Sequence, residues 1–430
     1  MKQLIVLGNG FDRACKLESS YADFFLARFN ELFCSEKTKF KKLEEMAGLL
    51  NKKRNSIIWD IAGTKNNINF SPAEDHDCDY FKADSCKWSN DMSLNRWDVI
   101  FLFAQLCIGK DVQSYEWQDV ESIIFETVSI ALNEKYNPKV SYKDEVIIGV
   151  NSMSGKEAFK KVVYYLSYVG QNTPKEVATE LLSELKKFES IFSNFISSQI
   201  DLNCIDNGYI KNAIDLYEGI SRYNKSRIGP TADQIDVLSF NYSLDEKFID
   251  VLDSQIGDNR LKSWSNIHGI AHHDVTPYYP SPIFGIDNHD IMSQNDHPDF
   301  RISFTKPYRI IDEKINEVRS TNGYANTNLI SIYGHSLGRD DYSYFETIFD
   351  ENKLYNSSCK LEYYYYPGKD ENSRLIKRQE AITNLYNLLT DYGRTLSSTH
   401  GNSIVNRLNL ENRISVVPSD IFTRDKHHKK

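Results

Sequence analysis

The sequence predicts an α/β fold: a parallel sheet with a large, mostly helical insertion after its first β-α unit. Three observations lead there. Residues 3–8 read as a short strand, because the unbroken apolar run Leu4-Ile5-Val6-Leu7 leads into Gly8-Asn9-Gly10, the pattern of a strand buried on both faces that opens into a tight turn. Strand-like runs then vanish until after Gly229-Pro230. Beyond that point they alternate with helical patterns, and such alternation implies parallel pairing through crossovers. The sheet expected from this order is Rossmann-like.

The elements follow in turn. After the glycine turn, Leu17, Tyr21, Phe24, Phe25 and Phe29 recur at helical spacing, so residues 1–35 read as strand, turn and helix. Residues 36–225 read as the insertion, with helices expected over 98–107, 120–136, 158–169, 180–200 and 209–223. The clearest is 180–200, where Leu181, Leu185, Phe188, Phe192 and Ile196 make one apolar stripe. Residues 65–96 are dense in Asn, Asp, Ser and Lys, and a connection that long in a compact protein is usually a functional or mobile segment. The rest of the core spans 226–423, with strands expected over 235–240, 264–268, 283–286, 328–333, 361–366 and 414–417. Helices are expected over 341–349 and 371–392. Residues 424–430 are a basic tail, expected to be disordered.

Composition narrows the function classes. Hydrophobic residues make up 40% of the 430 positions and charged ones 26%, which excludes disordered and fibrous proteins. The 60 acidic residues outnumber the 51 basic ones, unlike a protein that coats nucleic acid. No apolar run approaches the roughly 18 residues of a membrane helix, and the start does not read as a signal peptide. A cytoplasmic location without a membrane partner is therefore expected. Seven cysteines lack any C-x-x-C pair, which predicts free thiols and no zinc ribbon. His76, Cys78 and Cys86 have no fourth ligand at regular spacing, so no metal is expected.

Candidate chemistry sits where strands end. Gly8-Asn9-Gly10-Phe11-Asp12 lies between strand and helix, where backbone N–H groups and the helix dipole attract phosphate. Asn9 and Asp12 add side chains suited to a ribose or a base amide. The dinucleotide fingerprint wants a third small residue where Arg13 stands, and the alternative is a turn that needs glycine only for its φ angles. Asn241 follows a buried run, either as a ligand contact or as a helix cap. His268 closes the next strand, as a general base or as a partner of a backbone carbonyl. Gly334-His335-Ser336-Leu337-Gly338 ends another strand; it could hold a sugar hydroxyl, and it also matches the nucleophile elbow of α/β-hydrolases, whose histidine would be His400.

Taken in order, Gly8-Asn9-Gly10-Phe11-Asp12, Trp117-Gln118-Asp119-Val120-Glu121, Phe240-Asn241-Tyr242, His268-Gly269, Phe284-Gly285-Ile286-Asp287 and Tyr333-Gly334-His335-Ser336-Leu337 resemble the AbiH family of bacteriophage abortive-infection proteins. The resemblance covers about residues 3–395. AbiH in turn looks like a distant relative of the Sir2 group of NAD-binding Rossmann folds, so a Sir2-like sheet is implied. Carried over, Gly8, Asn9, Gly10 and Asp12 would form the cofactor loop and Asn241 would contact the nicotinamide ribose. His268 would be the catalytic base, and Gly334, Ser336 and Asp341 would hold the second ribose. This chain reads Gly-Asn-Gly where that group has Gly-Ala-Gly, and Ser243 stands where it has an acid. The zinc-bearing cysteine pairs of the deacylases are absent from the sequence, so the resemblance implies an antiviral effector that hydrolyses NAD on phage infection. NAD or a related nucleotide is then substrate and no metal is needed, with a phage protein as trigger and a homo-oligomer as a possible assembly. Two alternatives remain at this point: a non-catalytic nucleotide-binding phage sensor, and a metal-dependent nuclease toxin using Asp12, Asp119, Glu121 and Asp340.

Overall fold

Six of the seven runs expected as strands form one sheet. The computed structural model describes residues 1–33, 39–43, 45–46, 95–108, 117–132, 156–168, 173–200, 208–222, 232–271, 281–287, 291, 299–315, 324–338, 341–396 and 401–424. Strands β1 (Lys2–Leu7), β2 (Gln234–Ser239), β3 (Leu261–Asn266), β4 (Leu329–Tyr333), β5 (Lys360–Tyr365) and β6 (Ile414–Pro418) pair in parallel in the order β3-β2-β1-β4-β5-β6. The central strand β1 is buried over its apolar run: Leu4, Ile5, Val6 and Leu7 are at most 2% exposed. Ile5 lies opposite Val237 on one side and Ser331 on the other. A buried polar pair accompanies this core, the Gln3 amide donating to Ser331 Oγ at 2.9 Å.

The helices, in chain order, are α1 (Gly10–Ala14), α2 (Tyr21–Phe33), α3 (Arg96–Ile108), α4 (Trp117–Ala131), α5 (Lys156–Tyr168), α6 (Pro174–Ser197), α7 (Tyr209–Arg222), α8 (Lys247–Ile256), α9 (Lys306–Asp312), α10 (Tyr342–Glu351), α11 (Glu371–Thr395), α12 (Ile404–Leu410) and α13 (Ile421–Arg424). None of them is long and apolar enough to cross a membrane. Helix α6 starts six residues before the expected 180. Thr173 and Glu176 exchange hydrogen bonds across its first turn, Glu176 N–H to Thr173 Oγ1 at 3.3 Å and Thr173 N–H to Glu176 Oε2 at 3.0 Å. This is a capping box with Pro174 at the first helical position, a signal independent of the apolar stripe.

Two compact units divide the chain. One comprises Met1–Ser19, Ser193–Pro282 and Glu313–Lys430 and contains the whole sheet. The other comprises Ser20–Phe192 and Ile283–Asp312. The sequence places the boundaries at 35/36 and 225/226, whereas α2 belongs to the second unit and α7 to the first. The expected strand over 283–286 is a correction. It lies in the second unit and makes only an isolated bridge, Ile286 to Thr305, because Phe284 N–H donates to the Glu189 carboxylate at 2.7 Å instead of to a neighbouring strand. Arg424, expected in the tail, closes α13. Residues 425–430, the loop with His76, Cys78 and Cys86, and His400 lie outside the described residues.

The second unit is built on aromatic rings and buried ion pairs. Phe24, Phe192 and Phe284 meet edge to face, with centroids 5.1 Å apart at Phe24–Phe192 and at Phe192–Phe284, and Phe188 packs on Phe101 at 5.2 Å. Asp98 takes two hydrogen bonds from Arg28, at 2.7 and 3.1 Å. Glu189 takes two from Arg309, at 2.7 and 2.9 Å, besides that from Phe284 N–H. Lys306 Nζ reaches Glu121 at 2.8 Å. Arg309 and Glu189 are at most 1% exposed, and removing one member of such a pair strands the other charge. Glu189→Ala is therefore expected to destabilise the protein by roughly 3–5 kcal/mol, measured by denaturant unfolding. Glu189→Leu with Arg309→Met should recover most of that loss; equal instability of single and double variants would contradict the account.

Candidate functional site

The carboxyl ends of β1, β2, β3 and β4 are adjacent in the sheet, and the chain order reverses between β1 and β4. Open α/β sheets bind ligands at such a reversal. Here the turns after β1 and β4 are pressed together. Gly8 N–H donates to Tyr333 O at 2.9 Å and Gly10 N–H to Gly334 O at 2.8 Å. A Cβ on Gly10 would stand 2.6 Å from Gly334 Cα, and one on Gly8 would stand 2.5 Å from His335 Cα. Neither Gly8 nor Gly10 has a positive φ, whereas Gly334 does, at +66°. Close backbone approach, and not φ, therefore requires the first two glycines. Asn9 side-chain Oδ1 accepts from Ser19 Oγ at 2.6 Å and makes no cap bond to α1.

Asp12 points away from solvent. Its Oδ1 accepts from Tyr209 at 2.6 Å and from Ser243 at 2.7 Å, and those two hydroxyls are 2.8 Å from each other. Burial pushes the Asp12 carboxyl up to about 6, against weaker opposition from the hydrogen bonds of Tyr209, Ser243 and Asn241. Proton counting agrees. When Asp12 is ionised, two hydroxyl protons serve three contacts; a proton on Asp12 supplies the third. The Asn241 amide donates to Gly8 O at 3.0 Å. Asn266, at the end of β3, pins the same loop by donating to Asn241 O and Leu244 O, both at 2.8 Å.

On the other side of Asn241, Phe240 lies between two histidines. Its ring centroid is 4.5 Å from that of His335 and 5.7 Å from that of His268. His268 is 5% exposed, and its Nε2 is 3.3 Å from the Tyr344 hydroxyl. His335 Nδ1 accepts from Leu337 N–H at 2.9 Å, which places the ring proton on Nε2, facing Asp341 Oδ2 at 3.2 Å. This brace holds Leu337 at φ +59°, a rare conformation for a bulky residue. Asp341 is the N-cap of α10 but makes no side-chain cap bond there.

Of the residues singled out from sequence, Gly8, Gly10 and Gly334 form the paired turns, Asp12 and Asn241 lie beside them, and His268 lies across Phe240. Ser336 differs: it is exposed, and its hydroxyl accepts from Gly338 N–H at 3.4 Å. The elbow pattern is not an elbow in space, because α10 starts at Tyr342, six residues after Ser336. A cavity of about 300 Å³ opens beside this turn, lined by Leu337, Gly338, Tyr342, Asn384, Asn387 and Arg394 among others. Of the acids of the nuclease alternative, Glu121 pairs with Lys306 in the second unit, Asp340 lies outside the described residues, and the Asp119 side chain is not described. Among the described residues no group of three or more potential metal ligands occurs. Sequence reasoning missed Tyr209, Asn266 and Tyr344. Asn266 lies inside the run expected over 264–268, so no strand-end signal marks it in the sequence.

Asp12 makes stability depend on pH. Its carboxyl titrates near 6 when folded and at an ordinary 3.8 otherwise. Below about pH 4 both states keep the proton and burial costs little; as pH rises to about 6 only the unfolded chain gains a solvated charge, so stability falls. Asp12→Asn should therefore unfold at the same temperature as wild type near pH 4 and at a higher one at pH 7, by up to about 3 kcal/mol. Parallel melting-temperature curves from pH 4 to 7 would contradict the raised carboxyl.

No curated protein and no solved structure matches the chain. The family model described as bacteriophage abortive infection AbiH matches residues 4–365, which takes in β1 from Leu4 onward, β2 to β5, the paired glycine turns, Asp12, Asn241 and His268. The chain belongs to the bacteriophage abortive infection AbiH family.

Proposed function

We propose that this AbiH chain is a defence effector that consumes NAD on phage infection by cleaving the nicotinamide–ribose bond. The family supplies the setting, phage abortive infection. The observation that carries the chemistry is the gathering of Asp12, Asn241 and His268 at the carboxyl ends of β1, β2 and β3, beside the reversal in strand order. The order β3-β2-β1-β4-β5-β6 is the Rossmann order, in keeping with a Sir2-like sheet. In this reading Asn241 holds the nicotinamide-side ribose. The bond between C1′ and the nicotinamide nitrogen breaks with its electron pair going to nicotinamide, through an oxocarbenium-like state. Water then adds at C1′, and His268 takes its proton. The turn at Ser336 and the cavity beside it offer room for the other end of the dinucleotide.

One observation favours a second reading, a nucleotide-binding phage sensor without catalysis. The N–H groups of Gly8 and Gly10 already donate to Tyr333 and Gly334, so the glycine turn is a brace before it is a phosphate cradle. Incubating purified protein with NAD, with and without phage lysate, separates the two. Conversion of NAD to nicotinamide and ADP-ribose is expected, slowed about 100-fold or more in His268→Ala, as loss of a general base would do. If NAD stays intact while cells carrying the protein still die of infection, the enzymatic reading fails. Full protection by His268→Ala would support the sensor.

A further inference from the structure

His268 and His335 both lie against Phe240, yet their nitrogens meet different chemistry. His335 Nδ1 accepts from the Leu337 backbone N–H, and Nε2 faces the Asp341 carboxylate. A backbone N–H only donates and passes no proton on, so it fixes the ring and closes that nitrogen. His268 Nε2 meets a hydroxyl, that of Tyr344 at 3.3 Å. A phenol both donates and accepts. Of the two arrangements open to this pair, Oη–H to a bare Nε2 is favoured over Nε2–H to Oη, because the phenol is the stronger acid and the imidazole nitrogen the stronger base. Burial points the same way. His268 is 5% exposed, whereas Tyr344 is half-buried. The Tyr344 ring stands edge-on to His268 with centroids 5.4 Å apart, and each ring packs on Phe240 at 5.7 Å. Its neighbour in the first turn of α10, Phe345, stacks on Phe240 at 5.8 Å, so the hydroxyl is placed by a packed helix and not by a loop.

We propose that the Tyr344 hydroxyl donates to His268 Nε2 and is the relay through which that buried nitrogen takes a proton from the attacking water. The inference rests on the hydrolase reading given above and deepens it by adding a catalytic residue. As the water oxygen gives an electron pair to C1′, its O–H bond breaks and the proton joins Tyr344 Oη. The proton that Tyr344 carried passes to Nε2 in the same step. His268 is left as an imidazolium and Tyr344 as a neutral phenol, so no phenolate forms. The imidazolium then donates Nε2–H back to Oη, and loss of its proton to solvent restores the starting pair. His335 cannot take this part, because the Leu337 N–H that holds its Nδ1 has no lone pair to receive a proton.

The test uses Tyr344→Phe in the full chain, which removes the hydroxyl and keeps the ring on Phe240, with NAD as probe. It should lower kcat about 100-fold, as loss of a general acid–base contact does, and leave KM within about twofold. The double variant with His268→Ala should be no slower than His268→Ala, because both changes break the same relay. Wild-type kcat in Tyr344→Phe, or losses that multiply in the double variant, would overturn the proposal. If wild type leaves NAD intact, the proposed function fails on its own account, and the imidazole ¹⁵N shifts of His268 decide this one without substrate. They are read at about pH 8, where imidazole is neutral. A protonated Nδ1 with a bare Nε2 in wild type, reverting towards a protonated Nε2 in Tyr344→Phe, supports the relay; a protonated Nε2 in wild type, or one tautomer in both proteins, refutes it.

Discussion

The close approach of two backbone turns holds the site together. Gly8 and Gly10 lie against Gly334 and His335 so tightly that a methyl group at either glycine would sit inside the neighbouring main chain. Two N–H to carbonyl bonds tie the turn after β1 to the end of β4. From that junction the rest is hung. Gly8 O orients the Asn241 amide, α1 carries Asp12 inward to Tyr209 and Ser243, and His335 leaves the junction to brace the next turn. The glycines therefore set the distance between β1 and β4 at the point where an open sheet accepts a ligand.

The same junction concentrates features that a protein selected only for stability would avoid. A buried carboxyl has no cation among its named partners, and a bulky residue at +59° is maintained by one imidazole. Each costs free energy that the surrounding core offsets. The second unit treats its charges differently: Asp98 and Glu189 are each met by a two-pronged arginine. Asp98 and Glu189 are thus met by guanidinium and Asp12 by hydroxyl groups, and the latter arrangement leaves a proton that can be exchanged near neutral pH.

Much of this was legible in the residues. The unbroken run at Leu4–Leu7 announced the central strand because both faces are covered, and the returning strands announced a parallel sheet. Strand β3 was harder: the expected 264–268 is displaced from Leu261–Asn266, since Lys262 and buried Ser263 disguise its first half and Ser263 is satisfied by Asp236. The run 283–286 misled for the opposite reason, being apolar yet packed on rings and an ion pair instead of on strands. Within the site, strand-end residues were visible as such. Tyr209 was not, because its contact with Asp12 spans 197 positions and no local pattern marks a tyrosine arriving from a distant helix. That contact also turns the Asp12 carboxyl away from solvent.

The central claim is that the ends of β1 and β2 hold the sugar of a nucleotide at Asn241. A crystal structure of the full chain with NAD tests it most directly. The account predicts a ribose hydroxyl within hydrogen-bonding distance of the Asn241 side chain. A phosphate at Asn241, or NAD bound away from the ends of β1 and β2, would contradict it.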